Sequence, residues 1–336
     1  MEMNIYSVLD YELVNGVFNI GDYVQSLAAT NFLPRVDQYI SRERLNSYSG
    51  PRTKIILNGW FMHNPKNWPP SENIDPLMVS FHINRPFIQQ MLSSQGVEFL
   101  KKNEPVGCRD YHTCNILRQK GIEAYYSGCL TLTLGDNYQK AQERKNVLFV
   151  DVCHAVPKLS SYLNMKPRYL GSHLLSGNVP RSISRSSVIN KIVAASEVDD
   201  DNNIEFLENS INGSNLSTDE KFRCADEYLK KIASAKVVYT SRIHCALPCL
   251  AIGIPVVFIK YGQKSSSNLL RFRGILDHMN VLDLDGDLKR NGFKSKFLSL
   301  GDISSKKVQS NPNTHLKLAA KLRERCNNFI SPEIRV

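Results

Sequence analysis

Short apolar runs alternate along the chain with stretches in which apolar residues recur every three or four positions. The runs are rich in Val, Ile, Phe and Tyr and predict β-strands, whereas the periodic stretches predict amphipathic helices. The predicted strands are 4–9, 54–57, 78–81, 105–108, 124–126, 146–151, 236–239 and 255–259. The predicted helices are 22–33, 85–101, 111–120, 217–234, 243–252 and 313–329. This order of elements is typical of βα units, so we predict an α/β fold built on largely parallel sheets.

The polar stretch Gln139–Lys145 lies between two halves that share this pattern, and it is the predicted interdomain linker. We expect residues 1–140 and 141–336 to form two α/β domains that face each other across a cleft. Open α/β sheets bind ligands beyond the carboxyl ends of their strands, so residues directly after predicted strands are the first candidates for chemistry. The acidic, Asn-rich stretch Glu197–Ser217 is expected to be a surface insertion.

The composition is that of a globular protein, with 42% hydrophobic and 22% charged residues among 336. A formal net charge of +10 indicates an anionic partner. From Leu288 onward, eleven basic and three acidic residues give +8, so most of the excess belongs to the C-terminal tail. Basic residues are not interleaved with aromatic ones and no nucleic-acid-binding motif is present, so we expect no nucleic acid partner.

The last predicted helix repeats a basic residue every four positions on one face, at Lys317, Lys321 and Arg325. A solvated face of this kind commonly accompanies leucines that pack on a domain, here Leu318 and Leu322. The alternative is peripheral contact with anionic lipid head groups. The longest apolar run, 245–259, is too short to span a bilayer, and the N-terminus lacks a signal-peptide pattern. We therefore expect a cytoplasmic protein, with a peripheral position at the inner membrane face as the alternative.

Two arginines stand where a predicted strand ends and the next helix begins. Arg109 follows the strand 105–108, and Arg242 follows the strand 236–239. A guanidinium beside the N-terminus of a helix suits a carboxylate or a phosphate. His244, two residues beyond Arg242, can reach the same anion. A histidine that packs locally is the alternative, but the Arg-x-His spacing at a strand end favours a functional role.

Three further segments offer candidate groups near strand ends. In Asn19-Ile20-Gly21-Asp22, Gly21 permits close approach of a ligand, and Asp22 either caps the following helix or supplies a carboxylate. His82 follows the strand 78–81 and is expected at the mouth of the cleft. His63 lies in an aromatic, Pro-containing loop that suggests sugar stacking.

Lys260 and Lys264 flank a Gly- and Ser-containing turn after the strand 255–259. This turn is equally compatible with a phosphate site and with a solvated basic loop. Neither a GxGxxG nor a P-loop motif is present. The eight cysteines and the histidines show no metal-ligand spacing. We therefore expect neither a metal nor a cofactor.

Five short motifs, in order along most of the chain, resemble the polysaccharide pyruvyltransferase family. They are Asn19-Ile20-Gly21-Asp22 followed by Gln25-Ser26-Leu27-Ala28, then Gly107-Cys108-Arg109-Asp110, Gly128-Cys129-Leu130-Thr131, Thr240-Ser241-Arg242-Ile243-His244-Cys245-Ala246-Leu247 and Gly253-Ile254-Pro255-Val256-Val257. Each motif is weak alone, and together they make the resemblance fairly specific. Leu130 stands where many relatives have Pro, which concerns only the local loop shape.

The resemblance implies two Rossmann-like domains, similar to the GT-B glycosyltransferases, with the acceptor on the first domain and the donor on the second. It implies transfer of pyruvate from phosphoenolpyruvate to two hydroxyls of a sugar as a cyclic ketal, in capsule or exopolysaccharide synthesis. The motif residues expected at the phosphoenolpyruvate site are Arg109, Arg242, Ile243 and His244. The expected acceptor is a hexose such as galactose, in a polysaccharide or a lipid-linked repeat unit.

Combining the two lines of reasoning, we expect His244 to be the general acid and His82 or Asp22 the base on the acceptor hydroxyl. Lys260 and Lys264 are further candidates for donor binding. The candidates for acceptor binding are Asn19, Gly21, Asp22 and His63. Two other functions fit the sequence: a GT-B glycosyltransferase that uses a nucleotide sugar, and a non-catalytic protein that binds anionic glycans. The oligomeric state is not predicted.

Overall fold

The fold is described from a computed structural model, which covers residues 4–162, 178–198, 203–263, 266–307 and 309–331. The strands are β1 Ile5–Asp10, β2 Val17–Asn19, β3 Gln38–Ser41, β4 Thr53–Phe61, β5 Ile74–Ile83, β6 Val106–Cys108, β7 Ala124–Tyr126, β8 Asn146–Val150, β9 Asn203–Leu207, β10 Ser210–Asn212, β11 Ala235–Thr240, β12 Val256–Lys260, β13 Asn280–Asp283 and β14 Lys296–Phe297. The α-helices are α1 Ile20–Thr30, α2 Ile88–Met91, α3 Ser94–Lys102, α4 Tyr111–Gln119, α5 Asn178–Ala195, α6 Thr218–Ala233, α7 Ile243–Ile252, α8 Ser266–Phe272, α9 Asp287–Arg290 and α10 Leu316–Ile330.

Two six-stranded sheets organise these elements. The first has the order β3-β1-β4-β5-β6-β7 and the second the order β14-β13-β12-β11-β8-β9. Neighbouring strands within both sheets are parallel, as expected when helices connect successive strands. The predicted α/β class, with two sheets flanked by helices in a GT-B-like arrangement, is confirmed. The stretch Gln139–Lys145 connects the two sheets.

The expected surface insertion is wrong, because the segment after residue 202 supplies two strands. Strand β9 pairs in parallel with β8 at the edge of the second sheet. Strand β10 pairs antiparallel with β2 from the N-terminal half, with Ile211 opposite Phe18. We call this two-stranded pairing of β2 and β10 the clasp. The strands were not predicted because they are short and contain acidic and Asn residues. The clasp joins the two halves of the chain beside the cleft.

The two halves also share a hydrophobic core where α1 packs against α6. Tyr23 of α1 is fully buried and its ring meets Phe222 of α6 edge-on, with centroids 5.2 Å apart. Helix α6 begins with the predicted capping box, in which Ser217 and Glu220 each bind the other's backbone N–H. Burying a continuous apolar surface between these helices holds the two sheets in a fixed relation.

The C-terminal helix α10 crosses back to the first sheet. Its Leu322 is buried, which agrees with the expectation that the leucines pack on a domain. Arg325 lies over the ring of Tyr125 at 5.5 Å and is half-buried, whereas Lys317 and Lys321 of the basic face are exposed. Within the described ranges, none of the helices combines the length and apolar character needed to cross a membrane.

Candidate active site

A cavity of about 480 Å³ opens between the carboxyl ends of the two sheets. Residues of both halves line it, which is the location expected for a ligand of facing α/β sheets. Of the residues predicted from the sequence, Asn19, Asp22, His63, Arg109, Arg242, Ile243 and His244 line this cavity. The two strand-end arginines, 133 positions apart in the chain, therefore meet at one site.

Arg109 is the most unusual side chain in the cavity because it is charged and 0% exposed. Strand β6 positions it, and its backbone N–H donates to the carbonyl of Phe81 at 2.9 Å. Its Nη1 lies 3.4 Å from Nε2 of His244, while Nε and Nη2 have no hydrogen-bond partner among the described residues. A buried guanidinium whose N–H groups lack acceptors destabilises the folded protein unless an anion binds and accepts those hydrogen bonds.

Arg242 approaches from the other half at the start of α7. Its Nε donates to Oδ2 of Asp151 at 2.6 Å, an ion pair that fixes the side chain. Within the described residues, no side chain caps the N-terminus of α7. The first amides of α7 and the positive end of its dipole are therefore available to an anion.

Arg271 and His154 also line the cavity, although the sequence did not predict either of them. Arg271, from α8, has a buried Nε without a partner among the described residues. Burial and the nearby positive charges of Arg109 and Arg242 lower the pKa of Arg271 to about 10. His154 follows β8, and burial together with Arg242 and Arg271 lowers its pKa to about 3. One part of the cavity thus gathers three guanidiniums and a neutral imidazole, and we call it the cationic end.

His244 is neutral in this arrangement. Burial is the main cause, and the positive charges of Arg109, Arg271 and Arg242 add to it, so that its pKa lies well below the usual value. Because the Arg109 guanidinium can only donate, Nε2 of His244 is the acceptor and the ring proton belongs on Nδ1. A bound anion would oppose these charges and raise the pKa of His244.

Asp22 keeps a carboxylate for the cavity because another residue caps α1. The cap is Asn19, whose Oδ1 accepts from the backbone N–H of Gly21 at 3.1 Å, so the capping role considered for Asp22 is wrong. Asp22 Oδ1 accepts from Gln25 at 3.2 Å, and Oδ2 lies 4.0 Å from Nη1 of Arg42. Its charge also raises the pKa of Arg271.

Gly21 does not itself line the cavity but brings its walls together. A Cβ at this position would come 3.0 Å from Cβ of His244 and 3.1 Å from Nδ2 of Asn209. The N-termini of α1 and α7 can approach this closely only because residue 21 has no side chain.

Another part of the cavity wall is aromatic. The guanidinium of Arg42 lies 4.9 Å from the ring of Tyr11 and 4.9 Å from the ring of Trp60. Its Nε donates to Oε1 of Glu43 at 2.9 Å, which neutralises its charge. The His63 ring lies against Trp60, with centroids 4.5 Å apart. Flat apolar faces beside hydroxyl-binding groups suit a sugar ring.

His82 does not line the cavity, contrary to the expectation that it reaches the cleft mouth. Its Nδ1 lies 2.6 Å from Oδ2 of Asp110, and Thr113 Oγ1 contacts the same nitrogen at 3.2 Å. Burial lowers the pKa of His82 to about 4, although Asp110 acts in the opposite direction. His82 is the penultimate residue of β5 and not the residue after its strand, and its ring is held by Asp110 and Thr113, so it is not positioned to act as the base on a ligand in the cavity.

Lys260 does not line the cavity, contrary to the prediction that it binds the donor. It is 0% exposed and lies away from the cavity. Its ammonium binds Asp285 at 2.9 Å and also binds Asp287, so its charge is already compensated. Asp285 in turn accepts from the backbone N–H of Gly262 at 2.7 Å, which fixes the turn after β12. Lys260 is therefore a structural residue, and Lys264 lies outside the described residues.

The missed residues differ in whether the sequence carried a signal for them. His154 lies four positions beyond strand β8, so the strand-end rule would have found it. Asn209 follows β9 and lines the cavity, but its strand was mistaken for an insertion. Arg271 carries no local signal, since only the packing of α8 against the first half brings it to the site.

A family model described as polysaccharide pyruvyl transferase matches residues 19–263. Among curated proteins, none matches this sequence. The matched range contains Arg109, Arg242 and His244 and covers well over half of the chain. With its cavity at the carboxyl ends of two facing parallel sheets, the chain belongs to the polysaccharide pyruvyl transferase family.

Proposed function

We propose that the protein transfers pyruvate from phosphoenolpyruvate to two hydroxyls of a hexose residue such as galactose and forms a cyclic ketal. The acceptor is a polysaccharide or a lipid-linked repeat unit. One observation carries the proposal: Arg109 is a fully buried guanidinium that lines the cavity with two nitrogens unpartnered among the described residues. A small, multiply charged anion fits that environment better than a neutral ligand does.

Phosphoenolpyruvate, the proposed donor, has two anionic groups that match the cationic end of the cavity. A carboxylate and a phosphate need several fixed cationic donors, and Arg109, Arg242 and Arg271 supply them. The uncapped first turn of α7 adds backbone amides to the same region. His154, neutral among these arginines, can donate a hydrogen bond to a phosphate oxygen without adding a fourth charge.

His244 acquires its catalytic proton together with the donor. In the free protein its pKa lies well below the usual value because of burial and three arginines. The negative charges of phosphoenolpyruvate oppose that effect and move the pKa towards neutrality, where a general acid works best. The acid is therefore charged only when there is a donor to protonate.

The proposed transfer consists of two additions to C2 and the loss of phosphate between them. His244 gives its proton to the vinyl carbon of phosphoenolpyruvate, and a cation develops at C2. One sugar hydroxyl adds to C2 as Asp22 takes its proton, and phosphate leaves with the electron pair of its C–O bond. The second hydroxyl adds to C2 and returns a proton to His244. The products are the ketal and inorganic phosphate, which carries away the remaining proton.

The test is to incubate the protein with phosphoenolpyruvate and p-nitrophenyl galactoside, glucoside and mannoside, and to detect the ketal by mass spectrometry. His244→Gln should abolish product while phosphoenolpyruvate still binds. His112→Gln, in a half-buried histidine outside the cavity, is the matched control and should retain activity. Ketal formation by His244→Gln at the wild-type rate would exclude the acid role. Absence of product from every sugar would contradict the proposed acceptor class.

A thermal-shift measurement distinguishes this proposal from a nucleotide-sugar glycosyltransferase. A ligand that binds the folded protein raises its melting temperature. Phosphoenolpyruvate should do so and uridine diphosphate should not. Stabilisation by the nucleotide alone would favour the glycosyltransferase.

A further inference from the structure

Asn209 is a buried polar residue that lines the cavity and forms hydrogen bonds with both halves of the chain. It lies between β9 and β10 and is 1% exposed. Its backbone N–H donates to Oδ2 of Asp151 at 3.2 Å, and its carbonyl accepts from the N–H of Ile20 at 2.8 Å. One residue thus contacts the carboxylate that fixes Arg242 and also the first turn of α1.

The side-chain amide is oriented by its hydrogen bonds. Asn19 Oδ1 already accepts from Gly21, so the atom of Asn209 that faces it at 3.1 Å must be the donor, Nδ2. The other end of the amide, Oδ1, is buried and has no partner among the described residues. A buried carbonyl oxygen without a donor is unfavourable, and because Asn209 lines the cavity, a ligand bound there can supply the missing donor.

The chemistry of an oxygen acceptor selects between the two substrates. Oδ1 can only accept a hydrogen bond, whereas phosphoenolpyruvate presents carboxylate and phosphate oxygens that are themselves acceptors. A sugar hydroxyl has the proton that Oδ1 needs. Nδ2 of Asn209 and Cβ of His244 both lie about 3 Å from the position that a Cβ of Gly21 would occupy. A hydroxyl bound at Asn209 is therefore close to the general acid and the donor.

We propose that Asn209 binds one of the two reacting hydroxyls of the acceptor sugar through Oδ1 and holds it beside the cationic end of the cavity. This assignment rests on the proposed function, since it assumes a sugar diol as acceptor. The sequence analysis predicts that the acceptor binds to the first half of the chain. With Asn209, the second half would contact the acceptor as well.

The test compares Asn209→Ala with Asn212→Ala, using phosphoenolpyruvate and the p-nitrophenyl sugar of highest turnover. Asn212 is exposed on strand β10 of the same clasp and lies outside the cavity, so it is the matched control. Loss of one neutral hydrogen bond should raise the KM for the sugar roughly 3- to 10-fold in Asn209→Ala. The KM for phosphoenolpyruvate should change less than about twofold, and the control should match the wild type.

A second measurement separates ligand binding from a structural role. Monodeoxy analogues of the sugar, each lacking one reacting hydroxyl, are tested as competitive inhibitors. One analogue should bind the wild type more weakly than the parent sugar, and Asn209→Ala should no longer distinguish that analogue from the parent. If Asn209→Ala does not fold, Asn209→Asp, which keeps an oxygen at this position, must still distinguish them.

Three outcomes would overturn the inference. They are an unchanged sugar KM in Asn209→Ala, an equal rise in both KM values, and continued discrimination of the deoxy analogue by the alanine variant. A wild-type protein that makes no ketal at all would overturn the proposed function, and this inference with it. Turnover by the wild type with an unaltered sugar KM in Asn209→Ala would overturn this inference alone.

Discussion

Arg109 and Arg42 are equally buried arginines whose removal should have opposite effects on stability. Arg109 is 0% exposed with two unpartnered nitrogens among the described residues, whereas the Arg42 side chain is 4% exposed and binds Glu43 at 2.9 Å. Replacing each by Leu removes one buried charge of the same type. The difference between the two variants therefore measures how the charges around each arginine affect the free energy of unfolding.

The expected magnitudes follow from the partners of each guanidinium. Arg109→Leu removes a desolvated charge and orphaned donors, so we expect the free energy of unfolding to rise by about 1–3 kcal/mol. Arg42→Leu leaves the buried carboxylate of Glu43 without its cation. It also removes the contacts of the guanidinium with the rings of Tyr11 and Trp60. We expect the free energy of unfolding of that variant to fall by about 3–5 kcal/mol.

The assay is urea unfolding of both variants and the wild type, repeated with phosphoenolpyruvate. The donor should stabilise the wild type but not Arg109→Leu, because the anion would lose its buried partner. A more stable but inactive Arg109→Leu would show that the site stores an unfavourable charge for donor binding. The reasoning is refuted if Arg109→Leu loses as much stability as Arg42→Leu.

Three other perturbations test separate parts of the site. Because His244 is neutral when free and should be protonated in the donor complex, phosphoenolpyruvate binding should take up a proton and weaken as pH rises through the pKa of the complex. Calorimetry in buffers of different ionisation enthalpy measures this uptake, and binding without a proton contradicts it. Lys260→Met should lower the free energy of unfolding by about 3–5 kcal/mol, since it leaves the partly buried carboxylates of Asp285 and Asp287 without their cation, yet preserve donor affinity in refolded protein. A large loss of affinity would return Lys260 to the donor site. Gly21→Ala should lower the free energy of unfolding by about 1–3 kcal/mol, because the new methyl group crowds His244. The same variant should lower kcat at least tenfold. An unchanged kcat would show that His244 can move without loss of activity.

The elements that the sequence predicted well are those whose signals are local. Helix α7 begins and ends where its apolar pattern predicts, and α6 begins at its capping box. One predicted helix, 85–101, is instead divided into α2 and α3 around Ser93, whose side chain caps the second piece. Strand β9 was missed because its apolar residues alternate with acidic and amide side chains in a short run.

The sequence by itself determined the alternation of strands and helices and the placing of Arg109, Arg242 and His244 at strand ends. Parallel strands bring their carboxyl ends to one edge, so those positions are fixed by local pattern alone. Only the tertiary structure decided which charged groups remain available to a ligand. Lys260 is paired by Asp285, and His82 by Asp110, each more than 20 positions away in the chain. The energy of an ionisable group depends on burial and on the charges around it, and both arise from contacts between residues distant in sequence.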